Sequence, residues 1–395
     1  MITSPNLSRE YRAFKILQHW RAIHTIVPAD QLITPEHPSF PLFFFLYQKT
    51  ETLYQRLSKR RNGEEAFIHP INVVLALKEA EIDEGNTLCA GLIHDYIEES
   101  VDLYKEEMHL SDVGNDASRL DEMESQLTAG LKSELIAFSE KGTSGGGNSS
   151  AAAAEELVAI TQLLTRHKRD FYYKSICNLF TGPDPTIKEK AIQIKLADRM
   201  HNTLSIESFS EQDRLYSCFK NLFILNNTKK YLAEIRGNLV FSEELTETER
   251  LFKRLAKATY DAFLQVCENA TKKGIGEVRS MLHLAFRKFA WEKNGVFSVT
   301  ELTQEELHLM RLYFQVIRKY DCRLRHKWEE LQRIQEEEFA YCQQFFADFN
   351  FTDAQIQAIL DYKDAYSLKE VIGMLLYVPE YVVKRFDYTD LFCEN

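Results

Sequence analysis

Residues 94–100 read His94-Asp95-Tyr96-Ile97-Glu98-Glu99-Ser100, and the reading of the chain turns on them. Leu88, Ala90, Leu92 and Ile93 precede them at helical spacing, so a helix is expected from Thr87 to about Glu99, with the His-Asp pair in or beside the core. Upstream lies His69-Pro70, and downstream stands Lys195-Leu196-Ala197-Asp198-Arg199-Met200-His201-Asn202. His69, His94, Asp95 and Asp198 form a set of two imidazoles and two carboxylates able to hold one divalent ion. Such mixed nitrogen and oxygen donors suit Mn²⁺, Fe²⁺ or Zn²⁺ better than Ca²⁺ or Mg²⁺. Adjacent residues do not share a helix face, so His94 and Asp95 flank one ion only if it sits over the groove between them, with His69 and Asp198 on neighbouring helices. Glu98 falls three residues after Asp95 and four after His94, on the ligand side, where a carboxylate acts as general base or acid toward water. Glu99, four after Asp95, is placed to share that work. Taken singly, each fragment is ordinary: a capping histidine, a surface ion pair, a solvated glutamate pair. Their order along the chain makes them a set.

Composition bounds the rest. A chain of 395 residues with 45% hydrophobic content can bury a large core, most naturally in two lobes. With only 15 Gly and 9 Pro, and apolar residues recurring at spacings of three and four, an almost wholly helical protein is expected. A net charge of -11 argues against a nucleic-acid partner, because phosphate affinity needs clustered Lys and Arg; Lys59-Arg60-Arg61 is the local exception. Seven scattered cysteines without a CxxC pair read as reduced, packed thiols of an intracellular protein. The most apolar run, Phe40 to Leu46, is too short to span a bilayer, and no leader pattern opens the chain, so no membrane partner and a cytoplasmic location are expected.

The expected organisation is an N-terminal helical segment over 1–45, a metal-binding domain over 46–207 and a C-terminal helical domain over 208–395. Pro28, Pro35, Pro38 and Pro41 should break the first segment, and a helix should follow from Glu51 to Arg60, ending at an Asn62-Gly63 turn. Pro70 sits in the first turn of a helix whose buried face is Val73, Val74, Leu77 and Ala80. An acidic stretch and the run Gly142-Thr143-Ser144-Gly145-Gly146-Gly147-Asn148-Ser149-Ser150 make 102–154 a flexible insertion beside the cleft. A helix-rich stretch is expected from Glu155 to about Leu179, then a Gly182-Pro183-Asp184-Pro185 turn, then the helix carrying Asp198. Capping-box signals stand at Ser210 to Asp213, Thr303 to Glu306 and Thr352 to Gln355. The Pro- and Gly-free span from Glu305 to Phe349 suggests one long helix, or two joined by a polar turn.

Three strings, Arg60-Arg61-Asn62-Gly63-Glu64-Glu65-Ala66-Phe67-Ile68-His69-Pro70, His94 to Ser100, and Lys195 to Asn202, together resemble the HD superfamily of metal-dependent phosphohydrolases. Within it, they are most similar to the alarmone hydrolase domains of the RelA/SpoT family. The likeness covers roughly residues 45–205. It implies an all-α HD-domain bundle with a long C-terminal helical extension, Mn²⁺ held by His69, His94, Asp95 and Asp198, and water activated by Glu98 and Glu99. It also implies a nucleotide substrate met by Arg60 and Arg61, with Asn202 at the ribose. Leu164-Thr165-Arg166 resembles a string ahead of the last ligand in these hydrolases; His201, three residues after Asp198, is not a family ligand and reads as a supporting residue or a core histidine. The chain departs from the family where Glu98-Glu99 replaces Glu-Asp, lengthening one arm by a methylene. The expected activity is removal of pyrophosphate from the 3′ position of guanosine 3′,5′-bis(diphosphate) without synthetic activity, since no Gly-Tyr synthetase string follows residue 205. An HD phosphohydrolase for another nucleotide or phosphoester, and a nucleotide-sensing protein, are the alternatives. The C-terminal helices are expected to serve packing, a homo-oligomer or a protein partner.

Overall fold

The computed structural model describes residues 21–142, 147–166, 172–237, 245–293, 306–320 and 327–384. The molecule is all-α; no strand occurs among the described residues. It divides into two compact units, one comprising 1–208, 224–255 and 382–395, the other 209–223 and 256–381.

In the first unit, α1 (Phe40–Tyr54) is the helix expected further on, over 51–60. Pro41 lies in its first turn, where a missing N–H costs nothing, so it starts the helix instead of breaking the segment. The chain leaves α1 at Gln55, and Arg60 and Gly63 close a turn in which Gly63 N donates to Arg60 O at 2.8 Å. Gly63 takes φ of +86°, the left-handed region that a side chain disfavours. Helix α2 (Ile68–Glu79) is buried along nearly its whole length, including His69 and Asn72. Glu84 caps α3 (Gly85–Ile93), its carboxylate accepting from Asn86 N at 3.1 Å and Thr87 N at 2.7 Å.

The continuous helix expected from Thr87 to Glu99 is two helices. α3 ends at His94, Asp95 has φ of -103° and ψ of 5°, and α4 runs Tyr96–Glu107. The insertion over 102–154 is not a loop: α4 is followed by α5 (Gly114–Gly142) and α6 (Gly147–Leu164), which pack on each other. Much of the glycine-rich run therefore belongs to helix ends, and 143–146 lie outside the described residues. Ala151 to Ala154 continue α6, and alanine has the highest helix propensity. The helix-rich stretch expected over 155–179 holds the end of α6 and most of α7 (Tyr172–Thr181). Asp184 caps α8 (Pro185–Leu204), accepting from Thr186 N and Ile187 N at 2.8 and 3.1 Å. α8 packs on α2 and α6, and α3 packs on α1, α2 and α6.

The division between units falls within α9 (Glu211–Arg236) and α10 (Glu247–Lys272). The second unit also holds α11 (Arg279–Lys293), α12 (Trp328–Phe345) and α13 (Asp353–Tyr377). The capping box opening α13 is complete: Gln355 N donates to Thr352 Oγ1, and Thr352 N donates to Gln355 Oε1. Ser210 Oγ accepts from Asp213 N at 3.1 Å, and Thr303 lies outside the described residues. The Pro- and Gly-free span is not one helix: Leu309–Tyr313 and Val316–Tyr320 form short turns before α12. His308, in an extended conformation, accepts from Met310 N and starts a new turn there. Cys89, Cys177, Cys218, Cys267 and Cys342 are buried.

Candidate metal centre

Four helices converge on the donor set. His69 comes from α2, His94 caps the end of α3, Asp95 begins α4, and Asp198 lies on α8. One donor atom from each lies within 4.8 Å of the others. His69 Nε2 is 3.2 Å from His94 Nε2, 3.5 Å from Asp95 Oδ2 and 3.4 Å from Asp198 Oδ1, and His94 Nε2 is 3.0 Å from Asp95 Oδ2. Donors about 2.1 Å from a common ion stand roughly 3 to 3.5 Å apart, so these spacings match a shared cation. The break at residues 94 and 95 makes the convergence work. Ending one helix at His94 and starting another after Asp95 frees two adjacent side chains to face the same point.

The surrounding bonds orient the imidazoles. His94 Nδ1 is 2.9 Å from Gly91 O, so Nδ1 carries a proton and Nε2 is the ring nitrogen turned toward the other donors. His69 Nδ1 lies 2.8 Å from Nδ1 of His201, which is buried. Burial, with His69 and Arg60 adding to it, pushes His201 down to about 2, so this ring is neutral and one of the two nitrogens donates to the other. Two ring nitrogens and two carboxylates facing one another demand positive charge between them, from a proton or a cation. The titration shifts express that demand. Burial opposes ionisation of Asp95, yet His94 and His69 hold it well below the usual carboxylate range. Burial likewise opposes Asp198, which Lys195 at 2.8 Å and His69 hold low. Burial lowers His94, but Asp95 and then Asp198 outweigh it and raise the ring to about 8. The donor set and its electrostatics fit a divalent cation.

Asp95 is the open side of the site: its side chain is 22% exposed, against 5%, 1% and 4% for His69, His94 and Asp198. Glu98 and Glu99 lie in the first turn of α4 and are partly buried. With the helix broken before Tyr96, their spacing from His94 no longer defines a common face. Glu98 Oε1 accepts from Arg166 Nη2 at 3.1 Å. Tyr54, at the end of α1, is buried, and its phenol is held far above its usual range by burial, then by Asp95 and Glu99, with Arg60 opposing. Arg60 and both glutamates are therefore within electrostatic reach of one ring. Tyr54 carried no sequence signal, since an aromatic at a helix end is ordinary core material.

Arg60 is half-buried and Arg61 exposed. Arg60 Nη2 donates to Asn202 Oδ1 at 2.8 Å, and Asn202 Nδ2 donates to Asp198 Oδ1 at 2.5 Å. Asn202 thus links the basic turn to the Asp198 carboxylate, with both ends of its amide engaged. Lys195, the other partner of Asp198, lies one turn earlier on α8; its i to i+3 spacing from Asp198 was the signal available for it.

No protein-family model matches the chain. A Mycoplasma pneumoniae protein named "Probable guanosine-3′,5′-bis(diphosphate) 3′-pyrophosphohydrolase" is 29% identical over 181 residues, covering 46% of this chain and 19% of that protein. The protein of the same name from Mycoplasma genitalium is 27% identical over 218 residues, covering 55% of this chain and 24% of its own length. A chloroplastic protein of Oryza sativa subsp. japonica, named as a GTP diphosphokinase, is 24% identical over 240 residues, 60% of this chain and 23% of its own. The chain spans less than a quarter of the length of each of these relatives. Across about half of its length, then, the chain is related to the RelA/SpoT-type HD hydrolases.

Proposed function

We propose that the chain is a metal-dependent phosphohydrolase that releases pyrophosphate from the 3′ position of guanosine 3′,5′-bis(diphosphate). The observation that carries this reading is the meeting of His69, His94, Asp95 and Asp198 donor atoms within 4.8 Å of one another. These four residues would hold the ion, with Mn²⁺ the expected occupant of a mixed imidazole and carboxylate set. When bound, the ion supplies Lewis acidity and lowers the pKa of water toward neutrality.

The remaining roles belong to the chain. Glu98, fixed by Arg166, takes a proton from the attacking water as oxygen adds to the phosphorus next to the 3′ oxygen. The bond to that oxygen breaks, the oxygen takes up a proton, and pyrophosphate leaves. Glu99 shares the orientation of the water, one methylene longer than the family's usual aspartate. Arg60 and Arg61 offer guanidinium groups to phosphate or base, a planar fork suited to both. Asn202 reaches a ribose only by releasing Arg60 or Asp198, so substrate binding should rearrange that link. The helical character of the described residues beyond Ser208 supports hydrolysis without the synthetic activity.

The test is turnover by the Mn²⁺-loaded full chain of the guanosine tetraphosphate, other nucleotides and a generic phosphoester, followed by pyrophosphate and phosphate release. The tetraphosphate should be preferred. Asp95→Ala should abolish turnover and metal uptake, whereas Glu98→Gln should keep the metal and lower kcat by about 10² to 10⁴. Turnover of other substrates alone would replace the alarmone with another nucleotide, and absence of both metal uptake and turnover would refute the enzymatic reading.

A further inference from the structure

The second unit contains a cavity of about 380 Å³, walled in part by Tyr216, Tyr320, Phe339, Lys319, Glu338 and Asp361. Its charges do not balance. Of the lining residues, Lys319 pairs with Glu338 and, behind the wall, with Asp364, while Lys363 pairs with Glu338 and, at 2.6 Å, with Asp364. Lys363 Nζ also donates to Leu312 O at 2.9 Å, and Tyr320 OH donates to Asp364 Oδ2 at 2.7 Å. Two ammonium groups and two carboxylates close on each other, and the quartet is complete without a ligand.

Asp361 stands outside it. The residue is 4% exposed, and among the described residues its carboxylate accepts one hydrogen bond, from Gln357 Nε2 at 2.8 Å, and no ion pair. Burial, joined by the Asp364 charge, raises its carboxyl to about 6, with Lys319 and Lys273 offsetting only part of the cost. A buried carboxylate without a cation is an expensive feature to keep. Here it faces a cavity that three aromatic rings, Tyr216, Tyr320 and Phe339, line together with Glu336 and polar amides, and aromatic rings attract cations through their faces. The cavity's lining lysine is already engaged by two carboxylates, so an anion finds no free positive charge. A divalent metal does not fit either: among the described residues, the His69, His94, Asp95 and Asp198 set alone gathers three or more suitable donors. The volume matches a small molecule.

We propose that this cavity binds a small organic cation, a primary ammonium or guanidinium on an aliphatic stem, whose charge pairs with Asp361 and whose stem lies along the aromatic wall. The site is separate from the metal centre and takes a ligand of opposite charge to a nucleotide.

Calorimetric titration of the full chain with agmatine, which carries both cationic groups on a four-carbon stem, tests this against 1-pentanol as an uncharged comparator. Wild-type protein should bind one agmatine and no pentanol. Asp361→Asn should weaken agmatine binding by at least about tenfold, and Gln335→Trp, which puts bulk into the cavity from its half-buried wall, should abolish it. Both variants should retain wild-type helical circular dichroism and Mn²⁺ uptake. Absence of saturable agmatine binding, equal binding of pentanol, or unchanged affinity in folded Asp361→Asn would each overturn the proposal. If Asp361→Asn fails to fold, Gln335→Trp and the wild-type comparison decide it. Failure of this test leaves the hydrolase reading untouched, because that reading rests on turnover at a different set of residues.

Discussion

At the scale of single residues, the candidate metal centre rests on side chains that hold its donor residues in place. His201 holds the ring of His69 through the 2.8 Å contact between their Nδ1 atoms, and Asn202 holds Asp198. Outer partners of this kind typically change metal affinity or activity by about 10 to 100-fold when removed. His201→Phe, which fills the same space without a ring nitrogen, should weaken Mn²⁺ binding by that order in competition with a chromophoric chelator, with little loss of folded protein. Asn202→Ala should weaken it less, since Lys195 still neutralises Asp198, but should also raise KM by releasing Arg60. Steady-state kinetics alongside the chelator assay separates the two effects.

At the scale of elements, the approach of α3 to α2 positions the two histidines. A Cβ at Gly91 would lie 2.6 Å from Leu77 Cδ1, and Leu77 is fully buried. Gly91→Ala should therefore force repacking at about 1–3 kcal/mol, read by chemical denaturation, and weaken metal binding by separating His69 from His94. Another element-scale consequence belongs to α13. Asp361 has its carboxyl raised from 3.8 to about 6 by burial and the Asp364 charge, against opposing contributions from Gln357, Lys319 and Lys273. A carboxyl raised on folding binds its proton more tightly in the native state, so its contribution is favourable below the unfolded value. Stability falls as pH rises from about 4 through 6, by an amount on the order of 3 kcal/mol. Asp361→Asn should flatten that part of the pH profile of Tm and be the more stable protein at pH 7.

For the whole molecule, the first unit brings four negatively polarised donors together, and a cation bound only by the native state stabilises it. Mn²⁺ at 100 times its Kd should add about 2.7 kcal/mol, seen as a rise in the unfolding temperature that chelator reverses and Asp198→Asn abolishes. Among the described residues, no helix is long and apolar enough to cross a membrane.

Helical character was legible along the sequence because apolar residues recur with the helix period, and period is a local property. That His69, His94, Asp95 and Asp198 would gather as one donor set was legible because few residue types suit a divalent ion. Thr352 announced its helix because a cap needs only its next three residues. What the sequence could not convey was where helices stop without Pro or Gly. The break between His94 and Asp95 and the short turns before α12 fall where no Pro or Gly marks them. Nor could the sequence convey Asn202 bridging Arg60 to Asp198 across 142 residues of chain, or Asp361 outside the buried quartet. Local propensity chose the elements; contacts between them chose which atoms meet, because a charge or a lone pair acts through space on whatever the fold sets beside it.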